Sequence, residues 1–221
     1  MNEPSLLELP LFPLPDAVLF PGQALPLHVF EPRYREMAAA ALAGRRMLGV
    51  ALLQRGYEDL YFTTEAPIHR VIGIGRIVDA QELPDGRFNM LLQGEVRARI
   101  DSEVPGQSFR IARVLPQVTE QDLHAAGVAQ VRGELAQLLR CGAKRCGHGL
   151  FEEGVQLLDS SVDLETCVNL ISSALPVAGD CRQRLLESDS LAGRAALLRE
   201  AVRELVNASQ DHLDLPPASM N

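Results

Sequence analysis

Lysine is almost missing from this sequence. Lys144 is the only one, and every other member of the 21 basic residues is arginine. We attribute that bias to genome composition rather than to function. It still has a chemical consequence. A P-loop needs a lysine to reach the outer phosphates, a following Ser or Thr to hold magnesium, and glycines before it to free the backbone amides. Lys144 follows Ala143 and precedes Arg145, so these residues hold no such loop. Long apolar runs are missing too. No stretch of about 18 apolar residues occurs, so no membrane-spanning helix is expected. Glu3, Pro4 and Glu8 stand where a signal peptide would need a basic segment and then an apolar one, which leads us to expect a cytoplasmic protein.

A clustered basic excess is also lacking. The net charge is -8, about -2 over residues 1–118 and -6 over 119–221. Phosphate binding needs Lys and Arg gathered on one face, so nucleic-acid binding is disfavoured. Arg97 and Arg99 are read as part of a solvated strand face. The four cysteines, Cys141, Cys146, Cys167 and Cys181, are expected to be reduced in a cytosolic protein. Cys141, Cys146 and His148 make a C-x4-C-x-H cluster that fits no common zinc spacing. We expect no metal and no cofactor. There is no internal repeat.

What remains is a chain with 47% apolar residues, enough for a sizeable core in one large domain or two small ones. The first half reads as short strands with turns. Leu7, Leu9 and Leu11 alternate as a strand with one buried face. Its prolines at 10, 13 and 15 deny ladder donors, which predicts an edge or irregular strand. Pro21-Gly22 marks a turn, and residues 26–30 resume an extended run. Glu31-Pro32 opens a helix that Gly44 ends. Residues 47–53 suit a buried strand. Residues 71–78 alternate around Gly73 and Gly75, which are read as a bulge or sharp curvature. Leu83-Pro84-Asp85-Gly86-Arg87 predicts a turn into a strand over 88–93. Val96, Ala98 and Ile100 alternate in the next one, and residues 109–115 close the set. The pattern predicts a barrel or sandwich with one inserted helix.

After Pro116 the period becomes helical. Helices are expected over 122–145, 150–158, 164–175 and from Asp180, as N-cap, to Glu187. Ser190 should cap the last helix, where Leu191, Ala195, Leu198, Val202 and Leu205 share one face as a bundle core. A disordered tail is expected from Ser209. The fold class is thus α+β, with 1–118 as a barrel lobe, 119–208 as a helical lobe and 209–221 as the tail.

Several stretches together resemble the Lon substrate-binding domain family, especially its stand-alone members. They are Leu9-Pro10-Leu11-Phe12-Pro13-Leu14, Val18-Leu19-Phe20-Pro21-Gly22, the run Leu25-Pro26-Leu27-His28-Val29-Phe30-Glu31-Pro32-Arg33-Tyr34, and Leu185-Leu186-Glu187-Ser188-Asp189. The 83–87 turn and the 93–100 strand fit the same pattern, so the resemblance spans about residues 6–207. It implies a PUA-like β-barrel followed by a helical bundle. It also implies a part in recognising unfolded or damaged proteins, a role this region helps perform in full-length Lon proteases. The family's ATPase and Ser–Lys peptidase motifs are not found in these residues, so no catalytic residues are assigned.

The expected binding surface is the concave side of the barrel, with Phe20, Pro21, Gly22, Leu27, Phe30, Glu31, Arg33 and Tyr34. In the competing reading these side chains are core and Glu31–Arg33 is a structural ion pair. We favour core for Leu27 and Phe30, while Arg33 and Tyr34 stand evenly between the two. Expected partners are unfolded or misfolded polypeptides, or a separate protease or chaperone, with no nucleic acid and no membrane. The alternatives are a small-ligand or regulatory domain using a groove between the lobes, then an RNA binder, then a hydrolase. Cys141, Cys146 and His148 as a thiol–imidazole pair, His28, His69 and His124, and Glu152-Glu153 all lack a recognisable catalytic setting.

Overall fold

The computed structural model describes residues 6–146 and 149–211. The fold class is α+β, as the sequence predicts. The chain divides into two compact units. One runs to Thr119 and takes in Ala178–Asp189; the other is Glu120–Val177 with the chain from Ser190 onward.

The first unit is built on a sheet of six strands: β1 (Leu7–Leu14), β2 (Ala24–Val29), β3 (Met47–Leu52), β4 (Val71–Glu82), β5 (Phe88–Val104) and β6 (Ile111–Gln117). Their order is β2-β5-β4-β3-β1-β6, and a further β5–β6 pairing closes the sheet on itself, leaving β2 as the outer strand. Helix α1 (Pro32–Ala43) is inserted between β2 and β3, with Glu31 at its N-cap. Strand residues alternate between two clusters. Phe12, Leu48 and Val50 pack with Met37 and Ala41 of α1, while Leu9, Leu11 and Ala51 pack with Ile72, Ile74 and Ile100. That two-sided burial explains why residues 47–52 read as a continuous apolar run.

Strand β1 is irregular rather than an edge strand, for it lies between two neighbours and changes partner half-way. Its first half pairs antiparallel with β6 from Leu7 to Pro10, and its second half pairs parallel with β3 from Leu11 to Leu14. The prolines permit this. Backbone polar groups alternate sides along a strand. The Leu11 amide donates to Arg110, next to β6, whereas the Leu14 carbonyl accepts from Leu53, just past β3. Odd positions therefore face β6 and even positions face β3. Pro10 faces β3 before that pairing begins, and Pro13 faces β6 after that pairing has ended, so neither removes a needed donor.

The 88–93 and 96–100 stretches form one long strand, with a register shift between Ile100 and Ser102. The β4–β5 turn matches the sequence reading: the Gly86 amide bonds to Leu83, and Gly86 has φ 77°. A bulge does fall between Ile74 and Gly75. The glycines have a further cause. A Cβ on Gly73 would sit 2.0 Å from the Leu19 carbonyl oxygen, and one on Gly94 would sit 2.1 Å from that of Phe20. The 18–20 segment lies backbone-first on these two strands.

The second unit holds α2 (Ala125–Cys146), α3 (Gly149–Asp159), α4 (Leu164–Ala174) and, after α5, α6 (Leu191–Asp211). Helix α2 packs on α3 and α6, and α4 packs on both of those. Asp163 caps α4 by accepting from the Thr166 amide, and Ser190 caps α6 by accepting from the Gly193 amide. The expected stripe is core: Leu191, Ala195, Leu198 and Val202 are buried, with Leu205 half-buried. Residues 209–211 of the expected 209–221 tail continue α6 instead, while the rest of that tail, with Cys146 and His148 of the Cys/His cluster, lies outside the residues or side chains described.

Helix α5 (Gly179–Glu187) departs from the expected two-lobe division, because it belongs to the barrel unit. Its side chains explain this. The Gln183 amide donates to the Val71 carbonyl of β4, and Leu185 and Leu186 are buried. Ala178, not Asp180, is its N-cap; Asp180 sits in the first turn and pairs with Arg55. Arg97 is a second correction. Read as solvated, its side chain is only 1% exposed, because its strand face meets the end of α5. No described helix is long and apolar enough to cross a membrane.

Candidate functional site

The Phe30-Glu31-Pro32-Arg33-Tyr34 element ends β2 and starts α1. Proline in the first helical turn costs no hydrogen bond and directs the chain into the helix. The structure sorts the predicted site residues sharply. Phe20 is fully buried, beneath any reachable surface. Tyr34 is also buried, with Met37, Ala38 and Ala41 on the inward face of α1 and its ring 4.7 Å from that of Phe12. Burial pushes the Tyr34 phenol up to about 12. Both therefore leave the candidate surface. Leu27 and Pro21 are half-buried, and Gly22 occupies an exposed turn at φ 84°. Phe30 goes the opposite way from the core reading, with 60% of its surface exposed.

Arg33 is a clamp. Its guanidinium donates to Glu31, to the Tyr61 carbonyl at 2.8 Å and to the Thr63 carbonyl at 3.1 Å. It lies 4.3 Å from the Tyr34 ring centroid and 5.5 Å from that of Tyr61. The Tyr61 hydroxyl in turn donates to Glu31. Burial, then the neighbouring Glu31 carboxylate, raises the Tyr61 phenol above its ordinary value, so it remains a donor at neutral pH. With these bonds the start of α1 holds a loop from elsewhere in the unit. The Glu31–Arg33 pair is structural, and what it positions is the 57–65 segment.

That segment carries the side chains sequence reasoning missed. Leu60 is 39% exposed and Phe62 is 79% exposed, with the Phe62 ring edge-on to Tyr61 at 5.0 Å. Phe30, Tyr61 and Glu31 share a recess of about 90 Å³ with Tyr34 beneath it. Phe30 and Phe62 are thus exposed, and the half-buried Tyr61 shares the recess with Phe30 and contacts Phe62. A signal was available: Tyr57, Tyr61 and Phe62 are three of the ten aromatic residues, set in an otherwise polar loop. A larger groove of about 590 Å³ begins at Thr64 and Glu65 and runs between Pro67, Arg70, Glu103 and Phe109. Its wall includes Arg110, which is almost wholly buried and bound through two nitrogens to Glu103.

The histidines of the barrel unit have ordinary partners. His28 bonds to Asn89, and His69 bonds to Glu187. Glu152 and Glu153 are exposed on α3.

The family model of the ATP-dependent protease La (LON) substrate-binding domain matches residues 8–204. The chain belongs to this family. Among curated relatives, Lon protease 2 of Desulfotalea psychrophila is 33% identical over 202 residues, which is 89% of this chain and 25% of that protein. The Lon protease of Trichlorobacter lovleyi is 32% identical over 81% of this chain and 22% of its own length. The chain thus spans about a quarter of these relatives. Two solved structures share the fold of this Lon substrate-binding domain. The N-terminal domain of the Mycobacterium avium complex Lon protease superposes with a TM-score of 0.70 at 18% identity, covering 90% of this chain and 99% of that one. A Lon N-terminal domain protein from Xanthomonas campestris gives 0.60 at 22% identity, covering 91% and 98%. Family membership supports a non-catalytic, substrate-binding role.

Proposed function

We propose that this Lon-type domain binds unfolded or damaged polypeptide, performs no reaction on it, and makes contact through Phe30, Tyr61 and Phe62. One observation carries the reading. Phe62 stands exposed on a loop that Arg33 and Glu31 hold in place, and Phe30 stands exposed on the chain just before those two residues. Exposed apolar groups that are fixed rather than flexible lose little entropy when a partner covers them. Aromatic side chains also supply much of the energy at protein contacts. A native, folded protein keeps its apolar segments inside, so such a surface discriminates between unfolded and folded clients. The absent P-loop and dyad motifs agree with binding alone in these residues. Strand-face arginines are matched by acids, as in Arg76–Glu95, Arg87–Asp85 and Arg113–Glu8, which does not favour phosphate binding.

Fluorescence anisotropy with a reduced, carboxymethylated and permanently unfolded protein tests this. Exchanging Phe30→Ala together with Phe62→Ala should weaken binding roughly 30-fold, the scale of one interface hot spot at about 2 kcal/mol. Val118→Ala is the control, because Val118 is 88% exposed and more than 50 residues from Phe62 in sequence. Equal affinity for the double variant and the wild type would remove this surface.

A further inference from the structure

The proposed surface is framed by charge of one sign. Glu58 and Asp59 precede Leu60 in a short 3-10 turn, and Glu65 follows Phe62 by three residues; all three are exposed. Among the described residues none of these three carboxylates is held in an ion pair. Of the cations around them, Arg33 is engaged by Glu31 and two carbonyls, Arg55 by Asp180 and Arg110 by Glu103, while Arg70 lines the groove that begins at Glu65 and donates to the Asp101 carbonyl. Phe62 is therefore bordered in the chain by three exposed carboxylates without an ion pair, two of them, Glu58 and Asp59, with no arginine among the residues that follow up to Phe62.

We infer that this surface selects apolar segments flanked by lysine or arginine and disfavours those flanked by aspartate or glutamate. This rests on the proposed binding reading and deepens it. An apolar segment covering Phe30 and Phe62 carries its flanking residues over Glu58, Asp59 and Glu65. Cations there meet opposite charge, while anions meet like charge across a surface that the bound segment has partly dried. Each exposed contact is weak, but three act together and all vary with the same flanks. Charge of this kind acts on encounter as well as on the bound state. The preference should therefore appear in the association rate and shrink as salt shortens the screening length.

The test uses the full chain and two labelled peptides with one common aromatic and aliphatic core, flanked on both sides by either two lysines or two glutamates. At low ionic strength the lysine-flanked peptide should bind roughly tenfold tighter, falling below about threefold near 0.5 M salt. The triple exchange Glu58→Lys, Asp59→Lys and Glu65→Lys should reverse the order. Because the whole chain is acidic, a matched variant carries Glu152→Lys, Glu153→Lys and Glu200→Lys at exposed sites of the other unit; it should retain the wild-type preference. Three results would overturn the inference: equal binding of the two peptides, a preference that survives the loop reversal, or loss of preference in the matched variant. If both peptides bind equally and Phe62→Ala abolishes both, the inference fails while the binding surface stands. If neither peptide binds, the binding reading fails with it.

Discussion

Arg97→Ala should destabilise the barrel unit by about 3–5 kcal/mol, from two carbonyls that lose a charged donor at about 1–3 kcal/mol each and from the void left behind. Arg97 lies on β5 with its side chain 1% exposed. One terminal nitrogen donates to the Leu186 carbonyl at 2.7 Å and the Ser188 carbonyl at 3.0 Å, and the other reaches Asp189 at 3.3 Å. These acceptors are the last carbonyls of α5 and the residues just after it, where a helix has no internal donors left. One guanidinium therefore replaces the missing donors and ties the segment to the barrel. Its Nε is buried without a partner, a cost that the other bonds must outweigh. Truncation takes the guanidinium donor from the Leu186 and Ser188 carbonyls and leaves a void the length of the side chain. Most of the effect should come from those carbonyls, because Asp189 is 58% exposed and its ion pair is screened. Arg97→Lys should recover only part of the loss, since an ammonium lacks the planar fork. Urea denaturation followed by circular dichroism measures both. A loss below about 1 kcal/mol for Arg97→Ala would contradict this account.

Gly73→Ala should cost about 3 kcal/mol, the upper part of the range for overpacking, because the new methyl meets backbone rather than a movable side chain. The Cβ would lie 2.0 Å from the Leu19 oxygen and 2.8 Å from its carbon. Leu19 cannot withdraw freely: its side chain is fully buried, and the neighbouring Phe20 carbonyl rests on Gly94 in the same way. Gly133→Ala in α2 is the matched exchange, since nothing lies within 4 Å of its Cβ position. There the change should stabilise by roughly 0.5–1 kcal/mol through helix propensity. Thermal melts of the two variants should shift in opposite directions. A Gly73→Ala melt at the wild-type temperature would mean that the 18–20 segment does not lie on β4.

These two residues also mark where sequence reasoning stopped. Periodicity located the strands, the inserted helix and the bundle helices because those patterns are local. The Leu83–Arg87 turn was legible because Pro84 and Gly86 have conformational preferences of their own. Gly73 was read as curvature, which the adjacent bulge agrees with, but its close neighbour Leu19 is more than 50 residues away and leaves no periodic trace. Arg97 looked solvated because alternation says which strand face a side chain takes, not what later covers that face. Helix α5 does so from nearly 90 residues downstream.

The candidate surface was partly legible. The Phe30–Tyr34 element drew attention in the sequence, and the structure divides its residues between surface and core. Tyr34, Met37, Ala38 and Ala41 have helical spacing, a pattern that points Tyr34 inward although the sequence reading leaves it even between core and surface. Phe30 precedes the helix and escapes its periodicity. Phe62 belongs to a loop with no period at all, and only the density of aromatics around Tyr57 and Tyr61 pointed to it. Arg33 connects the two regions through backbone carbonyls, which carry no sequence signal.

The central claim is that unfolded polypeptide meets this domain at the Phe30–Tyr61–Phe62 surface. Photo-crosslinking tests it most directly. p-Benzoylphenylalanine is placed in the full chain instead of Phe62 and, in a separate variant, instead of Val118, and each is irradiated with the unfolded protein. Adducts should form from position 62, be removed by excess unlabelled unfolded protein, and persist when the same protein is added in its native form. Adducts of equal yield from position 118, or none from position 62 while binding persists, would contradict the account.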